Sequence, residues 1–198
     1  GQTGVRPNFK YGVALDDHFI VAGIRTEDGE RKNNHLIASV VDGSGVATPD
    51  NFGAANVINL GFYGSKEVTG LKVIGDVPTS TSPKRRLLVT SDDDAYIMTL
   101  TTGDSFSFNL DRIGNKEGII APDAIVSAEG AIFGISRNGF RLFTDTGTQI
   151  IGEGLKDDFD DLTDPTEAVG AYFKSKRLVI FSWPTDQKVF AIDLLSKD

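Results

Sequence analysis

The 198-residue sequence has no cysteine, one methionine, one tryptophan and two histidines. The absence of cysteine excludes disulfides, thiolate metal sites and thiol catalysis in this chain. Two imidazoles without a third firm ligand make a weak metal site. We therefore expect His18 and His35 to be strand-edge residues near solvent, close to each other because the strands that they precede should pair.

Long apolar runs are also missing, and only one compact basic run occurs. No segment approaches the roughly 18 continuous apolar residues of a membrane helix, and no basic-then-apolar signal segment opens the chain. The net charge is −8, and we expect the compact basic run of Lys84, Arg85 and Arg86 to be a solvated turn. Binding to phosphates needs clustered lysine and arginine, so we expect neither a membrane nor a direct nucleic-acid partner.

The composition is that of a folded domain. Hydrophobic residues make up 39% of the chain and charged residues 24%, which is ordinary for a globular protein. The length allows one substantial domain, and we expect a single domain over residues 1–198. The chain begins with Gly1 rather than Met, and we expect it to be a fragment of a longer protein.

The apolar residues predict strands rather than helices. They fall in short alternating or continuous runs bounded by Gly, Asp, Asn, Ser and Pro. Phe140 and Leu142, for example, alternate with Arg141, and such alternation places successive side chains on opposite faces of a sheet. The order strand, turn, strand, tight turn, strand recurs in residues 70–100, 124–143 and 170–193, and more loosely in residues 18–39.

The tight turns fix the period of this repeat. Asn138-Gly139 suits a two-residue hairpin loop, Pro184 and Asp186 favour a turn, and the run of Asp92 to Asp94 is poor strand material. Equivalent turns are 45 residues apart from Asp92 to Arg137 and 47 from Arg137 to Pro184. Such a period predicts an all-β fold, a β-propeller or propeller fragment of about four antiparallel blades. A β-sandwich or barrel is the alternative.

Three segments interrupt the repeat. Residues 49–56 are expected to form a loop, and residues 77–83 an inter-strand loop rich in Pro, Ser and Thr. Residues 154–162 are expected to form a short helix or turn with Leu155, Phe159 and Leu162 on one face, ended by the segment that leads into Pro165.

The residues that carry chemistry form no catalytic pattern. The acidic runs 92–94 and 157–161 lack the EF-hand spacing of a Ca²⁺ loop, and we expect solvated turns, the second one docked through Phe159. The pairs Asp16 with Asp17 and Asp42 with Asp50 cannot be placed in a common cleft, as a glycosidase would require. Nucleophile-elbow and phosphate-loop motifs are missing. We therefore expect no enzyme activity and assign no catalytic, cofactor-binding or metal-binding residue.

The most distinctive stretch of the sequence is residues 136–159. Its characteristic residues are Ser136, Asn138, Gly139, Phe140, Phe143, Thr146, Gly147, Thr148, Ile151, Gly152, Gly154, Leu155, Asp157 and Phe159. In this order they resemble a signature of tailed-bacteriophage β-propeller proteins of the tail-accessory or head-completion and stabilisation type. Similar strands occur upstream at residues 19–23, 35–39, 68–71 and 121–126. The sequence departs from the pattern at Ala38, where an aromatic residue is usual, and at Thr146-Gly147, where Asp-Gly is usual. It is also shorter than full-length members.

The resemblance implies a structural role. The protein would be a virion component of the phage tail or neck, assembled in the host cytoplasm, that joins other tail or neck proteins and forms a homo-oligomeric ring. It would act through protein–protein contacts without a cofactor. Two other functions stay open: a carbohydrate-binding or carbohydrate-cleaving propeller, because propellers often host sugar sites, and a general protein-interaction scaffold.

Overall fold

The computed structural model describes residues 8–16, 18–25, 29–41, 47–63, 67–74, 86–100, 107–144 and 146–195. Within these residues, fifteen strands form four antiparallel sheets, in each of which neighbouring strands follow each other in sequence. The all-β expectation is therefore confirmed. The predicted loop 77–83, together with Asp17, Asp42, Lys84 and Arg85, lies outside the described residues.

Sheets 1 and 2 come from the first part of the chain. Sheet 1 contains β1 (Tyr11–Leu15), β2 (His18–Arg25), β3 (Arg31–Val41) and β4 (Ala47–Asn59). A 3₁₀ turn (Leu60–Tyr63) follows. Sheet 2 contains β5 (Val68–Ile74), β6 (Arg86–Ser91), β7 (Asp94–Leu100) and β8 (Phe108–Asn115).

Sheets 3 and 4 come from the remainder. Sheet 3 contains β9 (Val126–Ala128), β10 (Ala131–Ser136), β11 (Gly139–Phe143) and β12 (Thr148–Ile150), and sheet 4 contains β13 (Val169–Phe173), β14 (Leu178–Trp183) and β15 (Lys188–Asp193). The helix α1 (Lys156–Asp160) lies between these two sheets in sequence. Shorter 3₁₀ turns are Pro122–Ala124, Glu153–Leu155, Pro165–Glu167 and Lys174–Lys176.

The sheets pack in series, and a separate hydrophobic core fills each space between neighbours. Because successive side chains of a strand point to opposite faces of the sheet, one strand contributes residues to two cores. On β6, Leu87 and Val89 join the core against sheet 1, whereas Leu88 joins the core against sheet 3. On β10, Ile132 packs toward sheet 2, and Phe133 packs toward sheet 4. Sheets 2 and 3 are thus covered on both faces.

The core between sheets 3 and 4 is aromatic. Phe140 is buried at its centre, with ring centroids of Phe159, Phe181, Trp183 and Phe190 at 5.5 to 6.0 Å. Most of these pairs are edge-to-face, the geometry that aromatic quadrupoles favour. Phe159 belongs to α1, so the prediction of a short helix docked through Phe159 is confirmed.

Close approach of sheets 3 and 4 depends on a glycine. A Cβ atom on Gly170, in the first strand of sheet 4, would lie 2.5 Å from Cγ2 of Val126 and 3.1 Å from the backbone of Ala124. Any larger side chain would therefore push the two sheets apart.

One loop prediction was wrong. Residues 49–56, expected to form a loop, belong to the strand β4. Pro49 is tolerated there because β4 is an edge strand, in which alternate N–H groups point away from the neighbouring strand and are not needed for the ladder. The pairing of β3 with β4 shifts register on both sides of Ser39, whose partner is Phe52, and the extra residues are absorbed as bulges.

Candidate functional site

A cleft of about 550 Å³ lies where turns and segments that adjoin the four sheets meet. Its lining comes from the start of β1, the start of β5, the β6–β7 turn, the segment before β9, the β10–β11 turn and the segment before β13. We call it the four-sheet cleft. The residues that line it are Lys10, Glu67, Thr69, Asp92, Ile120, Pro122, Arg137 and Thr166.

Two equivalent turns place Asp92 and Arg137 in this cleft. In the β6–β7 turn, Ser91 Oγ accepts hydrogen bonds from the backbone N–H of Asp94 at 2.8 Å and of Asp93 at 3.3 Å. In the β10–β11 turn, Ser136 Oγ donates to the carbonyl of Gly139 at 3.0 Å and accepts from the N–H of Asn138 at 3.3 Å. A serine hydroxyl that bonds to the backbone two and three residues on stabilises such turns. Asp92 and Arg137, the second residues of these two turns, therefore occupy equivalent positions in their hairpins.

Charged groups in the four-sheet cleft occur in opposite pairs. Arg137 Nη2 lies 3.3 Å from Asp92 Oδ2 and 3.4 Å from Asp93 Oδ1, and Lys10 Nζ lies 3.7 Å from Glu67 Oε1. The second oxygen of Asp92, Oδ1, is buried and accepts no hydrogen bond from the described residues. The cleft thus offers paired charges, an arrangement suited to binding polar groups.

An ion pair between a buried arginine and a partly exposed glutamate, which the sequence did not indicate, connects sheet 3 with the segment that precedes it. Arg141 on β11 is almost fully buried, and its Nη1 lies 3.0 Å from Glu117 Oε1. Its Nε donates to Ser136 Oγ at 3.4 Å, and Thr148 Oγ1 donates to Glu117 Oε2. The alternation of Arg141 with Phe140 correctly predicted opposite faces. It did not reveal that sheet 2 covers the face that carries Arg141.

The first acidic run is not wholly solvated, contrary to expectation. Asp94 opens β7 with its side chain buried, and Oδ1 accepts a hydrogen bond from Nε of Arg112 at 3.0 Å. Tyr96 donates its hydroxyl to Asp94 Oδ2 at 3.3 Å. The hydrogen bond that Arg112 donates to Asp94 raises the pKa of Arg112. Asp94 is buried because the pairing of β7 with β8 brings a cation to it, and a buried carboxylate needs such a partner.

A second charged cluster joins sheets 3 and 4. Glu129, in the β9–β10 turn, accepts a hydrogen bond from Arg177 Nε at 2.5 Å and from the Tyr172 hydroxyl at 3.0 Å. The hydrogen bond from Arg177 lowers the pKa of Glu129 below its ordinary value, and the bond from Tyr172 adds to this effect. Burial, followed by the hydrogen bond to Glu129, raises the pKa of Tyr172.

The two histidines do not come together. Their strands pair as expected, but the pairing is antiparallel, with Ile20 opposite Ala38 and Ala22 opposite Leu36. His18 therefore lies at one end of β2, and His35 lies in the bulge between the pairs Ala22–Leu36 and Ile24–Lys32. Nδ1 of His18 lies 2.9 Å from the carbonyl oxygen of Ser39, and Nδ1 of His35 lies 2.7 Å from Oδ1 of Asn34. Burial lowers the pKa of His35, and the charge of Lys32 lowers it further.

The other candidate residues lie away from the four-sheet cleft or outside the residues that the structure describes. In the second acidic run, Phe159 is buried and the four aspartates around it are exposed, as predicted. Asp16 does not line the cleft. No three His, Asp or Glu side chains among the described residues lie together in a way that could hold a metal ion. The described residues also contain no helix that is long and apolar enough to cross a membrane.

No protein-family model matches the sequence, and the search of curated proteins finds no match either.

Proposed function

We propose that this chain is a structural virion component of a bacteriophage tail or neck and acts by protein–protein assembly without catalysis. We further propose that its four sheets are blades of a β-propeller or of part of one. Sheets that follow one another in sequence and share one core per neighbour support this architecture over a sandwich, in which two sheets enclose a single core.

The observation that carries the proposal is the position of the residues of the phage-like signature in the fold. Ser136 fixes the β10–β11 turn, Gly152 adopts a left-handed conformation with φ of 66°, and the rings of Phe140 and Phe159 meet at 5.7 Å. Phe143 points the other way, into the core against sheet 2. The matching residues thus join sheet 3 to both of its neighbours, which is the work that a repeat signature does in a serial fold.

A role in assembly also fits the surface. Large apolar side chains are exposed on the outward faces of the first and last sheets, among them Val57 and Val189. Exposed apolar patches on a folded chain mark sites of contact with other proteins. The partners that the proposal names are other tail or neck proteins and further copies of the chain in a ring.

Localisation in the virion tests the proposal. Antibodies raised against the purified chain should label the tail or neck of virions of the phage that encodes it, in immunogold electron microscopy, and mass spectrometry should find the chain in the same purified particles. Antibodies against the major capsid protein, which should label the head, are the control. If the chain is abundant in infected cells and missing from purified virions, the proposal is wrong.

A carbohydrate-binding role is the second candidate, and the four-sheet cleft favours it. The carboxylate of Asp92 and the guanidinium of Arg137 lie side by side in its lining, and sugar hydroxyls both donate and accept hydrogen bonds. A glycan array with the wild-type chain and the Arg137→Ala variant tests this role. Binding that is lost in the variant would favour it, and release of reducing sugar would contradict an assembly role without catalysis.

A further inference from the structure

Asn138 is the only asparagine in the sequence that precedes a glycine. It lies at the tip of the β10–β11 turn, where it is exposed. Its backbone N–H donates to Ser136 Oγ at 3.3 Å, and no hydrogen bond from the part of the chain that the structure describes holds its side-chain amide. The amide is therefore free to rotate toward the backbone of Gly139.

Gly139 leaves the approach to its backbone nitrogen open. The backbone nitrogen of a residue can attack the side-chain amide of an asparagine that precedes it, and a side chain on the attacking residue is the main obstacle. Gly139 has none, and nothing lies within 4 Å of the position that a Cβ atom would occupy. It pairs with Ser136 at the very end of the β10–β11 ladder, so the attack needs only the local opening that strand ends undergo.

We propose that Asn138 is a site of spontaneous deamidation, with water as the only co-reactant. The backbone nitrogen of Gly139 attacks Cγ of Asn138, the new C–N bond closes a succinimide ring, and the bond between Cγ and Nδ2 breaks. The proton displaced from the Gly139 nitrogen leaves with Nδ2 as ammonia. Water then opens the ring at either of its two carbonyls, which gives aspartate or isoaspartate at position 138.

The neighbouring repeat already carries an aspartate at the equivalent position. Asp93 holds in the β6–β7 turn the place that Asn138 holds in the β10–β11 turn, and its backbone N–H also donates to the serine of its turn, Ser91, at 3.3 Å. Its side chain is 33% exposed, and its Oδ1 lies 3.4 Å from Nη2 of Arg137. The aspartate product of deamidation therefore fits a turn of this kind without rearrangement.

The isoaspartate product does not fit in the same way. It carries one more carbon atom in the main chain, between the N–H of residue 138 and the carbonyl of Gly139. Ser136 Oγ is hydrogen-bonded to both of these groups, at 3.3 Å and 3.0 Å. We therefore expect isoaspartate to disturb the turn that aspartate preserves.

Either product changes the charge at the four-sheet cleft. Arg137, the residue before Asn138, lines the cleft and already pairs with Asp92 and Asp93. A new carboxylate beside it makes the chain one unit more negative than its original net charge of −8 and competes for the same guanidinium. The inference concerns the chemistry of the chain itself and does not rest on a role in a virion.

Incubation of the folded chain in mildly alkaline buffer, followed by cleavage at lysine and tandem mass spectrometry, tests the proposal. Asn138 is the single asparagine between Lys116 and Lys156, so the mass gain of that peptide is readily assigned. Asn109, which is exposed and precedes Leu110, is the internal control. Conversion at Asn138 should be faster by about 10-fold or more, which needs a barrier only about 1.4 kcal/mol lower.

Two variants separate the products from the site. Asn138→Gln is the matched control, because its longer side chain cannot close the same ring. Enzymatic methylation of isoaspartate should label the incubated wild type, and most of this label should be missing from Asn138→Gln. Asn138→Asp represents the aspartate product and should give the circular dichroism spectrum of the wild type; an unfolded variant would contradict the equivalence with Asp93.

Two results would overturn the proposal. One is an amide at position 138 that survives in the folded chain while the same chain unfolded in urea converts, which would mean that pairing with Ser136 protects it. The other is an isoaspartate label that persists undiminished in Asn138→Gln, which would place the reaction elsewhere in the chain. The purified chain suffices for both measurements, so their failure is distinguishable from failure of the virion localisation.

Discussion

Arg137 Nη2 lies 3.3 Å from Asp92 Oδ2, although 45 residues separate the two in sequence. The two residues hold the same position in their hairpins, each following the serine that fixes its turn. The contact is therefore made between equivalent points of neighbouring repeats. It joins sheet 2 to sheet 3 at the edge of the four-sheet cleft.

This ion pair should contribute little to stability. The Arg137 side chain is 59% exposed and that of Asp92 is 26% exposed, so water screens the attraction. A double-mutant cycle with Arg137→Ala and Asp92→Ala should give a coupling free energy of about 0.2–1 kcal/mol in urea unfolding, smaller at high salt. A coupling well above this range that is insensitive to salt would contradict the prediction.

Gly118 should not tolerate even a methyl group. A Cβ atom at this position would lie 2.0 Å from the carbonyl oxygen of Ser91 and 2.7 Å from the backbone nitrogen of Asp94. Because backbone atoms of a fixed turn cannot move aside, Gly118→Ala should lower the free energy of unfolding by about 2–3 kcal/mol. Gly147→Ala is the matched control, since nothing lies within 4 Å of its Cβ, and its effect should stay below about 1 kcal/mol. Equal effects of the two substitutions in urea unfolding would refute this account.

The Glu129 cluster should make stability depend on pH in the acid range. The hydrogen bond from Arg177 lowers the pKa of Glu129 in the folded chain below its ordinary value of 4.5. Its contribution is therefore fully present above pH 4.5 and is lost as the pH falls through the folded pKa. Unfolding curves measured from neutral to acid pH should show a smaller loss of stability in Glu129→Gln than in the wild type.

Glu153→Gln, which removes a carboxylate from the exposed 3₁₀ turn before α1, is the control for the pH experiment. It should leave the acid dependence near that of the wild type. If the Glu129 and Glu153 variants follow the wild-type pH profile equally closely, the cluster does not contribute in the way proposed.

Phe140 should be the most sensitive position of the core between sheets 3 and 4. Four aromatic rings surround it within 6.0 Å, and Phe140→Ala should cost about 3–5 kcal/mol of stability. Trp183, the single tryptophan, is buried in this core, so its fluorescence reports the loss directly. Phe140→Leu, which keeps most of the volume, should cost less and leave the emission blue-shifted. Equal losses for Ala and Leu would argue against cavity formation as the cause.

Strand content could be predicted from sequence because it is a local property. The alternation in residues 131–143 acts within a single hairpin, and the structure confirms it, but the two-residue loop is Arg137-Asn138, one position before the predicted one, because Gly139 already pairs with Ser136. The predicted repeats 18–39, 70–100 and 124–143 were too short, since each of these sheets has a further strand that the three-strand pattern did not include. The prediction of a loop over residues 49–56 failed because an edge strand accepts residues, such as Pro49, that a central strand rejects. The propensity of a segment does not reveal whether it will lie at an edge.

The site could be predicted far less well, because it depends on contacts between sheets. Asp94 and Arg141 resemble solvated residues in sequence, and each is buried by a partner that pairing or packing supplies, Arg112 on β8 and Glu117 before β9. The histidines show the converse. Adjacent strands suggested that His18 and His35 approach each other, and the antiparallel direction of the pairing separates them.

The series of cores imposes an order on folding during translation. The first core contains both Leu15 and Met98, so it cannot be completed until the chain through β7 has left the ribosome. Each sheet then emerges with a bare apolar side that only the next repeat covers. Nascent chains on neighbouring ribosomes would display the same surfaces, so a chaperone that shields the newest sheet would protect this protein at every stage of translation.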